Sequence, residues 1–218
     1  MDNPFPLLIA ATGLMAVPFV VVSLTAFVKI AVVLFLVRSA LGVQQTPPNL
    51  VLYGVTIVLT VYVMSPVFAQ SWAAITQGGA GMAGLTDPAQ WPGMLQRGLE
   101  PVRAFLMRLT TEQDRAFFLQ AAQEMHASTN VEPAQGDLFI LAPAFVTAEL
   151  TRAFEIGVLL YLPFIVIDLV ITNILTAMGM MMVSPMVISL PFKLLLFVAV
   201  DGWARLTHGL VMSYVPGG

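Results

Sequence analysis

Leu169–Phe192 reads LVITNILTAMGMMMVSPMVISLPF, an apolar stretch without one charged residue, interrupted by Gly179 and Pro185. A helix needs about 20 apolar residues at 1.5 Å each to cross a membrane. Here a glycine and a proline stand in the middle of the run, so the stretch predicts the turn of a hydrophobic helical hairpin. The same reading extends to both sides. No charge occurs from Asn3 to Val28 or from Ser39 to Thr86, and four hydrophobic segments are expected near Leu7 to Val37, Leu50 to Phe68, Ile156 to Met178 and Val187 to Val211. Helix is the economical choice, because backbone groups in lipid must be satisfied within the segment and these runs lack the alternation of a barrel strand. Pro18, Pro163 and Pro191 are expected to break or kink them.

Composition agrees. Of 218 residues, 58% are hydrophobic and 10% charged, against roughly 45–50% apolar in soluble domains. A mean hydropathy of +0.89 argues against a free-standing cytosolic enzyme. A net charge of −3 without a basic block leaves nucleic-acid binding without support. With no cysteine, disulfides, thiolate metal sites and cysteine nucleophiles are excluded.

Charge divides the chain into three parts. Only Asp2, Lys29 and Arg38 precede Asp87, and only Asp168, Lys193, Asp201 and Arg205 follow Glu155. The expected fold is therefore all-α: a first hydrophobic hairpin (1–70), a polar helical insert (71–148) and a second hydrophobic hairpin (149–218). The first hairpin turns at Gly42-Val43-Gln44-Gln45-Thr46-Pro47-Pro48-Asn49. Arg38 and Lys193 flank the two short connections, which places these on the cytoplasmic side and the insert outside. Met1-Asp2-Asn3-Pro4 lacks the positive region of a signal peptide, so a retained N-terminus is expected. Within the insert, Gly78-Gly79-Ala80-Gly81 reads as flexible. Phe105, Leu106, Leu109, Phe117, Phe118 and Leu119 recur at near-helical spacing, which predicts two amphipathic helices. Asn130 to Gly136 reads as a loop, and Asp137 can cap a helix returning towards the third segment.

Chemical motifs are absent: no HExxH, GxSxG, Walker A or GxGxxG pattern occurs, and His126 and His208 are far apart. Neither catalysis nor a cofactor is expected. An intramembrane hydrolase would need an activated serine facing His208, and nothing marks Ser184, Ser189 or Ser213 as such. The charges inside apolar runs say more, since each costs a few kcal/mol at bilayer depth unless partnered. Lys29 fits either a snorkelling helix end or an ion pair, with Glu149 and Asp168 as candidate partners. Asp168, Lys193 and Asp201 are the other three. Asp201, Arg205 and His208 share a stripe that suits local pairing, with a proton relay as the alternative. Met178, Met180, Met181 and Met182 cluster around Gly179. A single methionine fills a gap, whereas four at a turn suit an interface or a deformable constriction.

These residues resemble the SctR/FliP family of type III secretion export gate subunits, found in virulence injectisomes and in flagella. The resemblance rests on Phe27-Val28-Lys29-Ile30, Arg38, Ala40 to Gln45, Pro47-Pro48-Asn49 and Met64-Ser65-Pro66. A second block carries Pro143-Ala144-Phe145, Glu149 to Gly157, Leu162-Pro163-Phe164, Ile167-Asp168, Met178 to Met182, Ser184-Pro185, Leu190 to Lys193 and Asp201-Gly202-Trp203. Gln44-Gln45, Thr151-Arg152, Leu160-Tyr161 and Leu206 to Leu210 favour the injectisome branch. Gln70 to Leu138 matches only in position and length. The resemblance implies a subunit of the bacterial inner membrane, assembled with itself as a pentamer and with SctS-like and SctT-like subunits. It also implies contact with the export apparatus and the inner rod and needle, with unfolded secreted proteins as the cargo. It implies further that the hairpins pack into a helical assembly raised towards the periplasm, so the four segments need not all cross lipid. The competing class is a small-solute or proton-coupled transporter, for which Asp168 is the one carboxylate near mid-membrane depth.

Overall fold

The computed structural model describes residues 12, 15, 18–43, 45–76, 87–126, 132–180 and 182–215. Among these, every regular element is helical, as the charge and hydropathy patterns predict. Residues 18–23 are helical, and seven longer helices follow: α1 (Phe27–Ala40), α2 (Asn49–Thr76), α3 (Trp91–Leu109), α4 (Glu112–Met125), α5 (Leu138–Ala177), α6 (Pro185–Ala199) and α7 (Gly202–Met212). The Gly78 to Gly81 stretch and most of the Asn130 to Gly136 loop's start lie outside the described residues, as does most of the first segment before Pro18.

Two of the helices, α2 with 28 residues and α5 with 40, are long and apolar enough to cross a membrane. At 1.5 Å per residue they measure about 42 and 60 Å, against a hydrocarbon core of about 30 Å. The fourth expected segment is not one straight helix. The α6 and α7 helices bend by 59° at Val200-Asp201. Asp201 adopts the left-handed conformation, φ 52°, which Asp tolerates better than most residues. Neither Pro163 nor Pro191 breaks its segment: α5 continues through the first and α6 through the second as helix. A single missing N–H is a local loss that neighbouring helices can cover. A left-handed residue ends the ladder altogether.

The chain forms two compact units: Met1–Val28 with Met64–Glu149, and Lys29–Val63 with Leu150–Gly218. The helices do not stop where the charge pattern changes, since α2 continues past position 70 to Thr76 and α5 starts at Leu138, before position 148. In the first unit, α3 buries Met94, Gly98, Phe105, Leu106 and Leu109. Gly98 permits close approach: a Cβ there would lie 2.7 Å from Cδ1 of Ile75. Phe105 packs against Phe145 with ring centroids 5.8 Å apart. The α4 helix opens with a capping box, in which Thr111 Oγ1 accepts from the Asp114 N–H at 3.1 Å and the Asp114 carboxylate receives the Thr111 N–H at 3.3 Å. Arg115 closes the end of α3, donating from Nη1 to the carbonyls of Thr110 at 2.7 Å and Met107 at 3.1 Å. Asp137 does start α5, but through its carbonyl, which accepts from Ile140 and Leu141 at 2.9 Å. Its carboxylate instead accepts from the Ala134 N–H at 2.7 Å.

In the second unit, α1 is too short to cross a membrane but buries Ile30, Val33, Leu34 and Val37. It ends at Gly42, whose φ of 77° suits glycine. Arg38 then holds the turn, donating to Asn49 Oδ1 at 2.6 Å and to the Pro47 carbonyl at 3.3 Å. The α5 helix ends in a Schellman pair: Met180 N–H to Leu175 O at 2.9 Å and Gly179 N–H to Thr176 O at 3.0 Å. Pro185 at the first position of α6 restarts the chain as helix. Much of the outward surface stays apolar, including Val158, Leu159, Leu162, Leu169, Leu195 and Val198. So broad an apolar exposure needs lipid or other chains to cover it.

Candidate functional site

Ser189 and Lys193 stand one helical turn apart on α6 and face the same way. Both are buried. The Lys193 ammonium donates to Asp168 Oδ2 at 2.6 Å and to the Ala40 carbonyl at 3.3 Å. Ser189 Oγ donates to the other Asp168 oxygen at 2.6 Å. One cation therefore joins three elements: a carboxylate on α5, the buried carbonyl end of α1, and its own helix α6. The α1 contact has two sources of attraction, because the last carbonyls of a helix lack partners and carry the negative end of its dipole. The turn at Gly42 lies against α6, with Lys193 Nζ 3.7 Å from where a Cβ would stand, an ordinary contact distance, so it is the φ of 77° and not crowding that favours glycine there. Asp168 keeps 39% of its side chain exposed, which softens the cost of placing the pair in an apolar setting.

Lys29 is a different site. It is 1% exposed, and its ammonium lies over the Tyr214 ring, 3.7 Å from the centroid. The side chain is enclosed by protein rather than reaching outward. Of its two expected partners, Asp168 is engaged by Lys193 and Ser189, while Glu149 is fully buried. The Asp201, Arg205, His208 stripe is not one helical row. Asp201 precedes α7 in its left-handed conformation, and its carbonyl accepts the Arg205 N–H at 3.0 Å. Among the described residues no ion pair joins their side chains.

The methionine turn is presented outward. Met178, Met180 and Met182 are all exposed, Met182 completely; Met181 lies outside the described residues. Gly179 at φ 72° makes the reversal.

Sequence reasoning weighed Ser189 only as a hydrolase serine, missing its bond to Asp168, and overlooked Tyr214. Ser189 was legible as a polar residue four positions before Lys193 on an apolar helix. Tyr214 carried no local signal, because its partner is almost the whole chain away. Among the described residues no group of three or more His, Asp or Glu side chains is placed to hold a metal ion.

The FliP family model matches residues 10–210, which is nearly all of the sequence that builds these sites. The chain belongs to the FliP family. It is 53% identical over 215 residues to Yop proteins translocation protein R of Yersinia pestis, a match that covers 98% of both chains. With the probable translocation protein y4yL of Sinorhizobium fredii it shares 50% identity over 214 residues, 95% of this chain and 92% of that one. The flagellar biosynthetic protein FliP of Pectobacterium carotovorum is 42% identical over 211 residues, 95% of this chain and 77% of its own. Within the FliP family the chain therefore stands nearer to these translocation proteins than to this flagellar one, in line with the branch favoured by Gln44-Gln45 and Leu206 to Leu210.

Proposed function

We propose that this FliP-family chain is a core subunit of a type III secretion export gate in the bacterial inner membrane. It forms a ring with copies of itself, five by the resemblance, and joins SctS-like and SctT-like subunits around a path for unfolded proteins. The observation that carries this reading is the 53% identity over 98% of both chains to a Yop translocation protein. Three features support it. The apolar surface of α5 and α6 is too extensive for one chain to cover. Lys29 and Glu149 are buried charges of the kind that fix one packing arrangement. The methionine turn is exposed rather than packed into its own chain.

In this reading Met178, Met180, Met181 and Met182 from each copy form a compliant seal. Thioether chains are apolar enough to exclude water and supple enough to mould around traffic of every shape. The insert of residues 71–148 lies on the periplasmic side. Lys193, Asp168 and Ser189 hold the second hairpin to the turn of the first, while Lys29, Glu149 and Asp201 contribute to assembly. A transporter would use Asp168 as its ion or substrate site. Both oxygens of that carboxylate are taken by Lys193 and Ser189, which favours the structural role.

Co-expression with SctS-like and SctT-like subunits, gentle extraction and native mass spectrometry test the proposal. The expected species holds several copies of this chain with both partners. A lone monomer under every condition refutes it.

A further inference from the structure

The turn between α5 and α6 holds its shape through the backbone. Gly179 makes the reversal at φ 72°, and two bonds close the end of α5, Met180 N–H to Leu175 O at 2.9 Å and Gly179 N–H to Thr176 O at 3.0 Å. Pro185 then starts α6. The thioethers are left outside: Met178 is 66% exposed and Met182 wholly so. Met64 and Met94, by contrast, are 1% and 4% exposed. The chain has no cysteine, so thioethers are its most readily oxidised groups. Attack by an oxidant dissolved in water follows exposure, which separates the turn from the core.

We propose that the methionine turn is an oxidation site, and that sulfoxides there open the seal to ions. The inference rests on the reading of the turn as a compliant seal. The oxidant is a peroxide. The thioether sulfur attacks one peroxide oxygen as the O–O bond breaks, so sulfur gives up two electrons and the peroxide accepts them. The transferred oxygen stays on sulfur, and the hydroxide released takes up its proton and leaves as water. The product is polar where the thioether was apolar. An apolar constriction holds ions back by dewetting, so sulfoxides admit water where thioethers kept it out. The turn itself stays in place, since its two bonds and its left-handed glycine do not involve sulfur. Methionine sulfoxide reductases restore the thioether, which makes the change reversible.

The test uses the full chain assembled with SctS-like and SctT-like subunits, reconstituted into vesicles and treated with hydrogen peroxide. Peptide mass spectrometry should find added oxygen at Met178, Met180 and Met182 before it appears at Met64 or Met94. Ion leakage should rise several-fold in step, towards that of the complex in which all four turn methionines are alanine, and the reductases should reverse both. Changing Met178, Met180, Met181 and Met182 together to leucine keeps an apolar seal without the oxidisable sulfur. That complex should stay tight in peroxide, although Met15 and Met125, exposed elsewhere, and the partner subunits still oxidise. Sulfoxides at the turn without leakage, or leakage that the leucine complex shows equally, overturn the inference. So does a turn oxidised no faster than the core. These results leave the seal standing if the alanine complex leaks; an alanine complex as tight as wild type removes the seal, and this inference with it. If the leucine variant fails to assemble, the order of oxidation, the leakage and its reversal by reductase in the wild type decide.

Discussion

Replacing Lys193 with methionine keeps the buried stem and removes the ammonium, and the structure sets the size of the effect. Removing one partner of a fully buried ion pair costs about 3–5 kcal/mol, most of it from the charge left behind. Here that charge is Asp168, whose side chain is 39% exposed and retains the Ser189 hydroxyl at 2.6 Å, so water and one donor compensate part of the loss. The Ala40 carbonyl loses its 3.3 Å partner, which adds about 1 kcal/mol. A total near 2 kcal/mol follows, equivalent to a fall in Tm of roughly 4–8 °C for a chain of this size. Thermal unfolding in detergent can be followed by tryptophan fluorescence, because Trp203 packs at 5.3 Å on Phe197 in the same unit as the triad. Asp168→Leu and the double variant complete a cycle. The coupling should be about 1–2 kcal/mol, so the double variant is less damaged than the sum of the two single changes. Strict additivity, or a Lys193→Met protein that melts with the wild type, refutes the claim that this cation ties α1, α5 and α6 together.

Gly202→Ala should destabilise by about 1–3 kcal/mol, because the new Cβ would meet the Phe197 ring at 2.4 Å; an unchanged melting curve counts against this close packing at the α6–α7 bend. Lys29→Ala should reduce the yield of assembled oligomer, and Tyr214→Leu, which removes the ring 3.7 Å from its ammonium, should cost about 1–2 kcal/mol. Normal assembly and secretion by Lys29→Ala would show that the buried ammonium has no part in holding subunits together. Changing Met178, Met180, Met181 and Met182 together to alanine should raise ion leakage through an intact complex; wild-type conductance with assembly verified would make them packing residues.

The all-helical architecture and the two hairpin turns were legible in the sequence because they depend on local properties. Uninterrupted apolar runs must satisfy their own backbone, and Gly42, Gly179, Pro47, Pro48 and Pro185 act where they stand. The capping box at Thr111 and Asp114 is equally local. Family membership was legible in short runs of residues around both hairpins, which carry the likeness, and the match extends over residues 10–210. Only the tertiary structure decided what happens at Asp201, since a left-handed φ of 52° is one local option among several and depends on what packs around it. Only the tertiary structure could pair Asp168 with Lys193, 25 positions away, and Lys193 with Ala40, 153 positions away. Sequence limits which charges need partners in an apolar setting, whereas the choice among partners rests on helix crossings that no periodicity records.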